Sequence, residues 1–90
     1  MIHIIRTTAV DRLNQMVSLL SDGDTVVFID DSCYALPNQI ETALKKNVAI
    51  FALENHLSAR NINQHKDIEV IKMDDLVSLL ADNNNSMTWQ

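Results

Sequence analysis

The sequence contains little cysteine, glycine, proline or aromatic residue: its 90 residues include one Cys, one Gly, one Pro, two Phe, one Tyr and one Trp. A single cysteine cannot form an internal disulfide, which suits a reducing compartment. Loops that cradle phosphates need glycines where the backbone approaches the ligand, and neither Arg6–Thr8 nor Asp30–Ser32 contains one. We therefore exclude P-loop and dinucleotide-binding proteins and expect no cofactor. The scarcity of aromatic residues predicts an aliphatic core.

Basic residues are also few, since seven Lys and Arg stand against twelve Asp and Glu, for a formal net charge of −5. This charge disfavours direct binding to nucleic acid, which needs clustered Lys and Arg. No apolar run approaches the roughly 20 residues of a membrane helix, and the stretch Met1–Arg6 is too short for the apolar core of a signal peptide. We expect a cytoplasmic protein that has no contact with membranes. Its length predicts one domain over residues 1–90, small enough that a partner or oligomer adds stability.

Apolar runs alternate with segments of helical periodicity. The runs with the composition of buried strands are Ile2–Ile5, Thr25–Ile29, Val48–Leu53 and Ile68–Ile71, and Met87–Gln90 is a candidate edge strand. The helical stripes are Val10, Leu13, Val17 and Leu20, widened by Met16 and Leu19, and later Leu76, Val77 and Leu80. Alternating strands and helices imply right-handed crossovers and parallel pairing. The predicted fold is therefore a small three-layer α/β/α domain with a mostly parallel sheet of four to five strands.

Local signals place the ends of the helices. Thr8 or Asp11 is the predicted N-cap of the first helix, and Asp74 that of the last one. Gly23 follows the first helix, where a left-handed residue is expected. Pro37 suits the first turn of a further helix.

Several polar groups follow the strands and are therefore expected at one edge of the sheet. They are Arg6, Asp30, Asp31, Cys33, Glu54, His56, Asp74 and Asp75. Cys33 precedes a predicted helix, a position that favours a reactive thiolate, and His56 lies near it if the second and third strands are neighbours. Asp30 and Asp31 oppose this by raising the pKa of the thiol. Cys33 assisted by His56 is thus the candidate catalytic pair, and a half-buried structural cysteine is the alternative.

Two other uses of these residues are disfavoured. The spacing of His3, Cys33, His56 and His65 matches no zinc motif. Asp30-Asp31 suggests the phosphate-accepting site of a response-regulator receiver, but the other acidic pair and the late lysine of that fold are not in the required places. Carboxylates that cap the next turn of a solvated loop explain the pair more simply.

Trp89 is unusual because it stands one residue from the end of a chain poor in aromatic residues. A terminal segment frays unless it docks. Trp89 therefore docks either on its own sheet or on a partner, where Trp is a common interface anchor.

Four segments carry a pattern that is specific when taken together. They are Met1–Arg6, Leu19–Asp24 with its Leu-Leu-Ser-Asp-Gly-Asp helix exit, Val48–Glu54 followed by Leu57–Arg60, and Ser86–Trp89. In these segments, in their spacing and in total length, the chain resembles the TusB/DsrH family of sulfur-relay proteins. The resemblance implies a DsrE-like fold and assembly with TusC/DsrF-like and TusD/DsrE-like subunits into a heterohexamer.

The resemblance also implies that the complex passes persulfide sulfur to a TusE/DsrC-like acceptor, for 2-thiolation of the tRNA wobble uridine or for sulfur oxidation. The principal cysteine belongs to the TusD/DsrE-like subunit, and Cys33 matches no motif of the family. The leading hypothesis is therefore an accessory subunit, with Trp89, Asp30 and Asp31 as its partner interface. The alternatives are a sulfurtransferase that carries persulfide on Cys33, or an α/β interaction module unrelated to sulfur whose acidic rim faces a basic partner.

Overall fold

The computed structural model describes residues 1–35, 47–62, 68–82 and 85–90. The strands in these ranges are β1 (Ile2–Ile5), β2 (Thr25–Phe28), β3 (Ala49–Leu53), β4 (Glu69–Ile71) and β5 (Ser86–Trp89). The helices are α1 (Val10–Leu19), α2 (Glu54–Ala59) and α3 (Met73–Asp82), together with a 3₁₀ helix over Asp30–Ala35. The helix predicted at Pro37 and the residue His65 lie outside the described residues.

The strands form one sheet in the order β4-β3-β2-β1-β5, and every neighbouring pair is parallel. Ile2 of β1 lies opposite Thr25 of β2 on one side and Ser86 of β5 on the other. The predicted α/β class is confirmed, and the C-terminal segment is the fifth strand, at the edge beside β1. Because all strands run in the same direction, their carboxyl ends lie along the same side of the sheet. We call this side the carboxyl edge, to distinguish it from the edge strands β4 and β5.

Apolar side chains from the sheet pack on both of its faces. On one face they join α1, in a cluster that includes Ile5, Val26, Phe28, Ile50, Ala52, Leu13, Met16 and Val17. On the other face they join α3, in a cluster formed by Ile2, Val27, Leu53, Ile71 and Leu76. Alternate residues of each strand therefore serve opposite faces, and the helices on the two faces produce the predicted three layers.

Three residues assigned to the apolar stripes are exposed, so those parts of the prediction are wrong. Val10 is 65% exposed, and Leu19 and Val77 are each 58% exposed. Leu19 lies two residues beyond the buried Val17, which places it about 200° around the helix and away from the sheet. Val77 lies about 100° from the buried Leu76 for the same reason. Val10 is the first residue of α1, and the buried residues of this helix begin only at Leu13.

The start of α1 uses neither predicted cap. Its N-cap is Ala9, which makes no side-chain capping bond. The Ala9 N–H instead donates to Oγ1 of Thr7 at 3.1 Å. Thr7 therefore fixes the turn ahead of the helix, and the prediction of Thr8 or Asp11 is wrong.

At α3, the predicted N-cap Asp74 lies inside the first turn of the helix, which begins at Met73, so this prediction is wrong. The Asp75 carboxylate accepts the Lys72 N–H at 3.0 Å, which satisfies a donor ahead of the helix. The prediction for Gly23 is confirmed in its conformation, because its φ is 88°. That glycine lies in the turn after Leu20, which allows the chain to enter β2.

Candidate functional site

The candidate site lies at the carboxyl edge of the sheet, where Ser32 joins the end of β1 to the 3₁₀ helix. The Ser32 hydroxyl oxygen is 2.5 Å from the carbonyl oxygen of Ile5 and 2.6 Å from that of Ile29. It also accepts the Ile29 N–H at 3.1 Å, and the residue is fully buried. Sequence reasoning missed this role, although a serine hydroxyl often bonds the backbone three residues earlier in the chain.

Asp30 connects three strands at this edge. Its φ of 53° is in the left-handed region, which Asp tolerates better than most residues. Its backbone N–H donates to Nδ1 of His56 at 2.8 Å, and its carboxylate accepts from Nε of Arg6 at 3.0 Å. Since a backbone N–H only donates, Nδ1 of His56 is the acceptor in this bond.

Asp31 makes a second pair with Arg60, which follows α2. The Arg60 Nε donates to the Asp31 carboxylate at 2.9 Å, and its Nη1 donates to the carbonyl oxygen of His56 at 3.2 Å. Arg60 was not among the predicted site residues. The signal for it was its position four residues after His56, which places both at the same side of a short helix.

These side chains surround an open cleft of about 430 Å³. It is lined by Arg6, Asp30, Asp31, Arg60 and Gln90. The Asp30 carboxylate is bonded to the guanidinium group of Arg6, and that of Asp31 to the guanidinium group of Arg60. The charges of these four side chains therefore balance, whereas the sequence suggested an acidic rim. Among the other predicted rim residues, Glu54 begins α2, and both Asp74 and Asp75 lie in the first turn of α3.

Cys33 is fully buried behind this cleft. Its Sγ lies 3.7 Å from the carbonyl oxygen of Phe28. Burial raises the pKa of Cys33 from 9.0 to about 11; Arg60 opposes the shift, while Asp30 and Asp31 add to it. The Nδ1 of His56 accepts the Asp30 N–H instead of activating the thiol. At neutral pH the Cys33 thiol is therefore protonated and shielded from solvent.

Trp89 packs against its own sheet in this chain. It is 6% exposed, and its indole Nε1–H donates to Nδ1 of the buried His3 at 3.2 Å. The guanidinium carbon of Arg12 lies 5.7 Å from the centre of the Trp89 ring, within the range of a cation–π contact. The indole is thus covered by its own chain, and its strand β5 forms the edge of the sheet.

His3 also forms a hydrogen bond with Asp24, and so links Trp89 to the start of β2. Trp89 donates to Nδ1, so that nitrogen is an acceptor, and it is Nε2 that bonds the Asp24 carboxylate at 3.1 Å. Asp24 also accepts from the Ser21 N–H at 2.9 Å and from the α-amino group of Met1 at 3.2 Å. Burial alone raises the pKa of Asp24, but the hydrogen bonds from Ser21, the α-amino group and His3 outweigh it and lower that pKa below its ordinary value.

Two properties of the described residues bear on the class of protein. Within the described ranges, no three His, Cys, Asp or Glu side chains are grouped so that they could hold a metal ion. In the same part of the chain, every helix is too short or too polar to span a bilayer.

The fold and the site define a small parallel α/β domain whose single thiol is buried beneath a rim of ion pairs. The family model described as DsrH like protein matches residues 7–86 of this chain. The chain belongs to the DsrH-like family, which confirms the resemblance found in the sequence and indicates a role in sulfur relay. No individual curated protein shows a significant match to it.

Proposed function

We propose that this chain is an accessory, non-catalytic subunit of a cytoplasmic sulfur-transfer complex, and that the relayed persulfide sulfur is used for 2-thiolation of the tRNA wobble uridine. The observation that carries the proposal is the match to the DsrH-like family over residues 7–86. The burial of Cys33 supports the accessory role.

The chemistry of persulfide transfer explains why burial matters. A thiolate attacks the outer sulfur of a persulfide, forms a new S–S bond, and releases the donor as a thiolate. The attacking sulfur must therefore be ionised and accessible. Cys33 is neither at neutral pH, since it is fully buried and its pKa is raised to about 11. The sulfur-carrying cysteine then belongs to another subunit, of TusD/DsrE-like kind.

The partners in this proposal are TusC/DsrF-like and TusD/DsrE-like subunits, with a TusE/DsrC-like protein as the transient acceptor. The carboxylate rim supplies a contact surface, because the Asp31 side chain is 70% exposed and that of Asp30 is 39% exposed. Trp89 contributes by holding the edge strand, since its indole is buried. The net charge of −5 fits a subunit that leaves tRNA binding to other components.

The direct test is co-expression of this chain with one TusC/DsrF-like and one TusD/DsrE-like subunit. We expect a single heterohexamer, measured by light scattering after size-exclusion chromatography. A chain that stays apart from both subunits contradicts the proposal. Within the complex, Asp31→Lys is expected to weaken assembly. Asp22→Lys, at an exposed turn residue before the start of β2 and so at the opposite end of that strand, should leave assembly unchanged.

A second test separates the accessory role from catalysis by Cys33. The complex carrying Cys33→Ala should transfer sulfur to the acceptor at the wild-type rate, and cells carrying it should keep the wild-type content of 2-thiouridine in tRNA. Mass spectrometry after incubation with a persulfide donor should find no added sulfur on Cys33. Sulfur on Cys33, together with a loss of transfer in Cys33→Ala, would establish the sulfurtransferase alternative instead.

A further inference from the structure

We propose that the edge strand β5 is a pairing site for a second copy of this chain, joined antiparallel about a twofold axis at Met87. The proposal is independent of the sulfur-relay function, because it concerns the isolated chain. Among the described strands β5 has one neighbour, β1, so its other side forms an edge of the sheet. Ser86, Met87 and Thr88 of this strand are all exposed.

The hydrogen bonds to β1 establish which backbone groups of β5 point outward. The Ile2 N–H donates to the carbonyl oxygen of Asn85, and the Arg6 N–H donates to that of Trp89. In a strand, successive residues direct their N–H and C=O groups to opposite sides. Asn85, Met87 and Trp89 therefore face β1, and Ser86 and Thr88 direct both of their backbone groups away from the sheet.

One register satisfies all of these outward groups when a second copy is added. In an antiparallel pair centred on Met87, Ser86 lies opposite Thr88 of the copy, and Thr88 lies opposite Ser86 of the copy. Each opposed pair exchanges two N–H···O=C bonds, as in the hydrogen-bonded sites of antiparallel sheets. The two Met87 residues then occupy the non-hydrogen-bonded site between them, where side chains approach most closely.

The side chains suit this self-pairing. Met87 is 42% exposed, so the contact buries apolar surface that the monomer leaves in water. Ser86 and Thr88 meet across the strands with their hydroxyl groups, a favourable cross-strand pair. The strand contains no charged residue, so two chains of net charge −5 meet at β5 without a facing pair of like charges. It also lacks proline, and so has neither of these two common protections of an edge strand.

The strand β5 is already ordered in the monomer, through its pairing with β1 and the contacts of Trp89. Its last residue, Trp89, is anchored by the bond to His3, and its carbonyl oxygen accepts from Arg6 at 2.8 Å and from Thr7 at 3.0 Å. A preformed strand loses little conformational entropy on binding, which favours pairing. The opposite edge, β4, has only three residues, and its first residue Glu69 is exposed and charged. We therefore place the contact at β5 and not at β4.

The first experiment is sedimentation velocity of the purified chain over a hundredfold range of concentration. We expect a reversible monomer–dimer equilibrium, weak because one strand pair is a small interface. Met87→Lys places two positive charges face to face and should leave only monomer. The matched control is Met73→Lys, since Met73 is a 52% exposed methionine on α3, and it should dimerise like the wild type. Wild-type protein that stays monomeric throughout, or Met87→Lys that dimerises, overturns the proposal.

The second experiment excludes misfolding as the cause of any loss. Met87→Glu alone should also be monomeric, but an equimolar mixture with Met87→Lys should form a heterodimer because opposite charges then face each other. A Met87→Cys variant, treated with diamide as the two-electron oxidant, should give a disulfide-linked dimer, while the buried Cys33 stays unreacted. Failure of the mixture to associate, with both variants folded by circular dichroism, refutes the twofold contact at Met87.

Discussion

The backbone N–H of Asp30 donates a hydrogen bond to Nδ1 of His56 at 2.8 Å, and so links the end of β2 to α2. The bond holds Asp30 in its left-handed conformation, with φ of 53°. It also occupies the ring nitrogen that the Cys33 hypothesis needed as a base. His56 is thereby a structural acceptor at this edge of the sheet, and the role can be tested by replacing one ring nitrogen at a time.

Replacing His56 by Asn or by Gln distinguishes its two nitrogens. The amide oxygen of Asn can take the place of Nδ1, whereas that of Gln reaches the position of Nε2. We expect His56→Gln to lower the free energy of unfolding by about 1 kcal/mol, and His56→Asn by less, because a hydrogen bond of this kind contributes about that amount. Urea unfolding followed by Trp89 fluorescence measures both. Helix propensity favours Gln over Asn, so a larger loss for His56→Gln cannot come from propensity and would support the assigned bond. A loss for His56→Gln that is smaller by more than the propensity difference would contradict it.

The Cys33 thiol should be inert in the folded protein. Since it is fully buried, we expect iodoacetamide at neutral pH to label it only as fast as the chain opens, and rapidly in urea. The measurement is the mass increase with time, with a cysteine-containing peptide as the reference for an exposed thiol. Labelling of the native protein at the rate of that peptide is the result that would contradict the burial.

Ionisation of the Cys33 thiol should lower the free energy of unfolding at alkaline pH. Burial raises the pKa of Cys33 from 9.0 to about 11, so the folded state holds this proton more tightly than the unfolded state. The stabilisation is complete below pH 9.0 and is lost as the pH rises toward about 11. We expect Cys33→Ala to remove this dependence. Unfolding curves of both proteins between these pH values test it, and parallel decreases in stability would count against the buried thiol.

The fold was largely predictable because buried parallel strands have a distinct composition. The run Val26–Phe28 and the alternation of strands with helical stripes were enough to indicate the sheet. The position of β5 beside β1 depends on contacts between distant segments, such as that of Trp89 with His3, which no local pattern contains. The burial of Val10 was predicted wrongly, because helical periodicity shows which way a side chain points. It does not show where along the helix the contact between α1 and the sheet ends.

The site was less predictable, because its chemistry depends on which side chains form hydrogen bonds and ion pairs with each other. The sequence placed Asp30, Asp31, Cys33 and His56 at one edge, and the sheet topology brings that edge together. It did not reveal that the carboxylates are neutralised by arginines, since Arg60 lies 29 residues from Asp31 along the chain. Nor did it reveal that Cys33 faces the core. Local sequence can thus locate a rim of polar residues, but pairing and burial require the packed structure.

Asp24 should make stability fall at acidic pH. Its pKa is lowered below 3.8, because hydrogen bonds from Ser21, the α-amino group and His3 outweigh the effect of burial. Its contribution is therefore complete above pH 3.8 and decreases as the pH falls through the lower value of the folded state. We expect Asp24→Asn to cost about 1–3 kcal/mol at neutral pH, as for the loss of a charged hydrogen-bond acceptor. The difference from wild type should shrink below pH 3.8; a difference independent of pH would contradict the assignment.

The bond between Trp89 and His3 should be measurable as a coupling energy. Trp89→Phe keeps an aromatic ring in the core but removes the indole N–H, leaving Nδ1 of the 2% exposed His3 without a donor. We expect a loss of about 1–3 kcal/mol, the cost of an unsatisfied buried polar group added to the smaller ring. Circular dichroism must follow this unfolding, because Trp89 is the only tryptophan.

The control is the same substitution in a His3→Leu background, where no acceptor remains to be left unpaired. There Trp89→Phe should cost less, by about 0.5–1.5 kcal/mol, because only the change in packing remains. The two backgrounds share the same change in ring size, so their difference isolates the hydrogen bond from the volume effect. Equal costs in both would mean that Trp89 anchors β5 by packing alone, and that the buried contact with His3 adds nothing to the docking of the C-terminal strand.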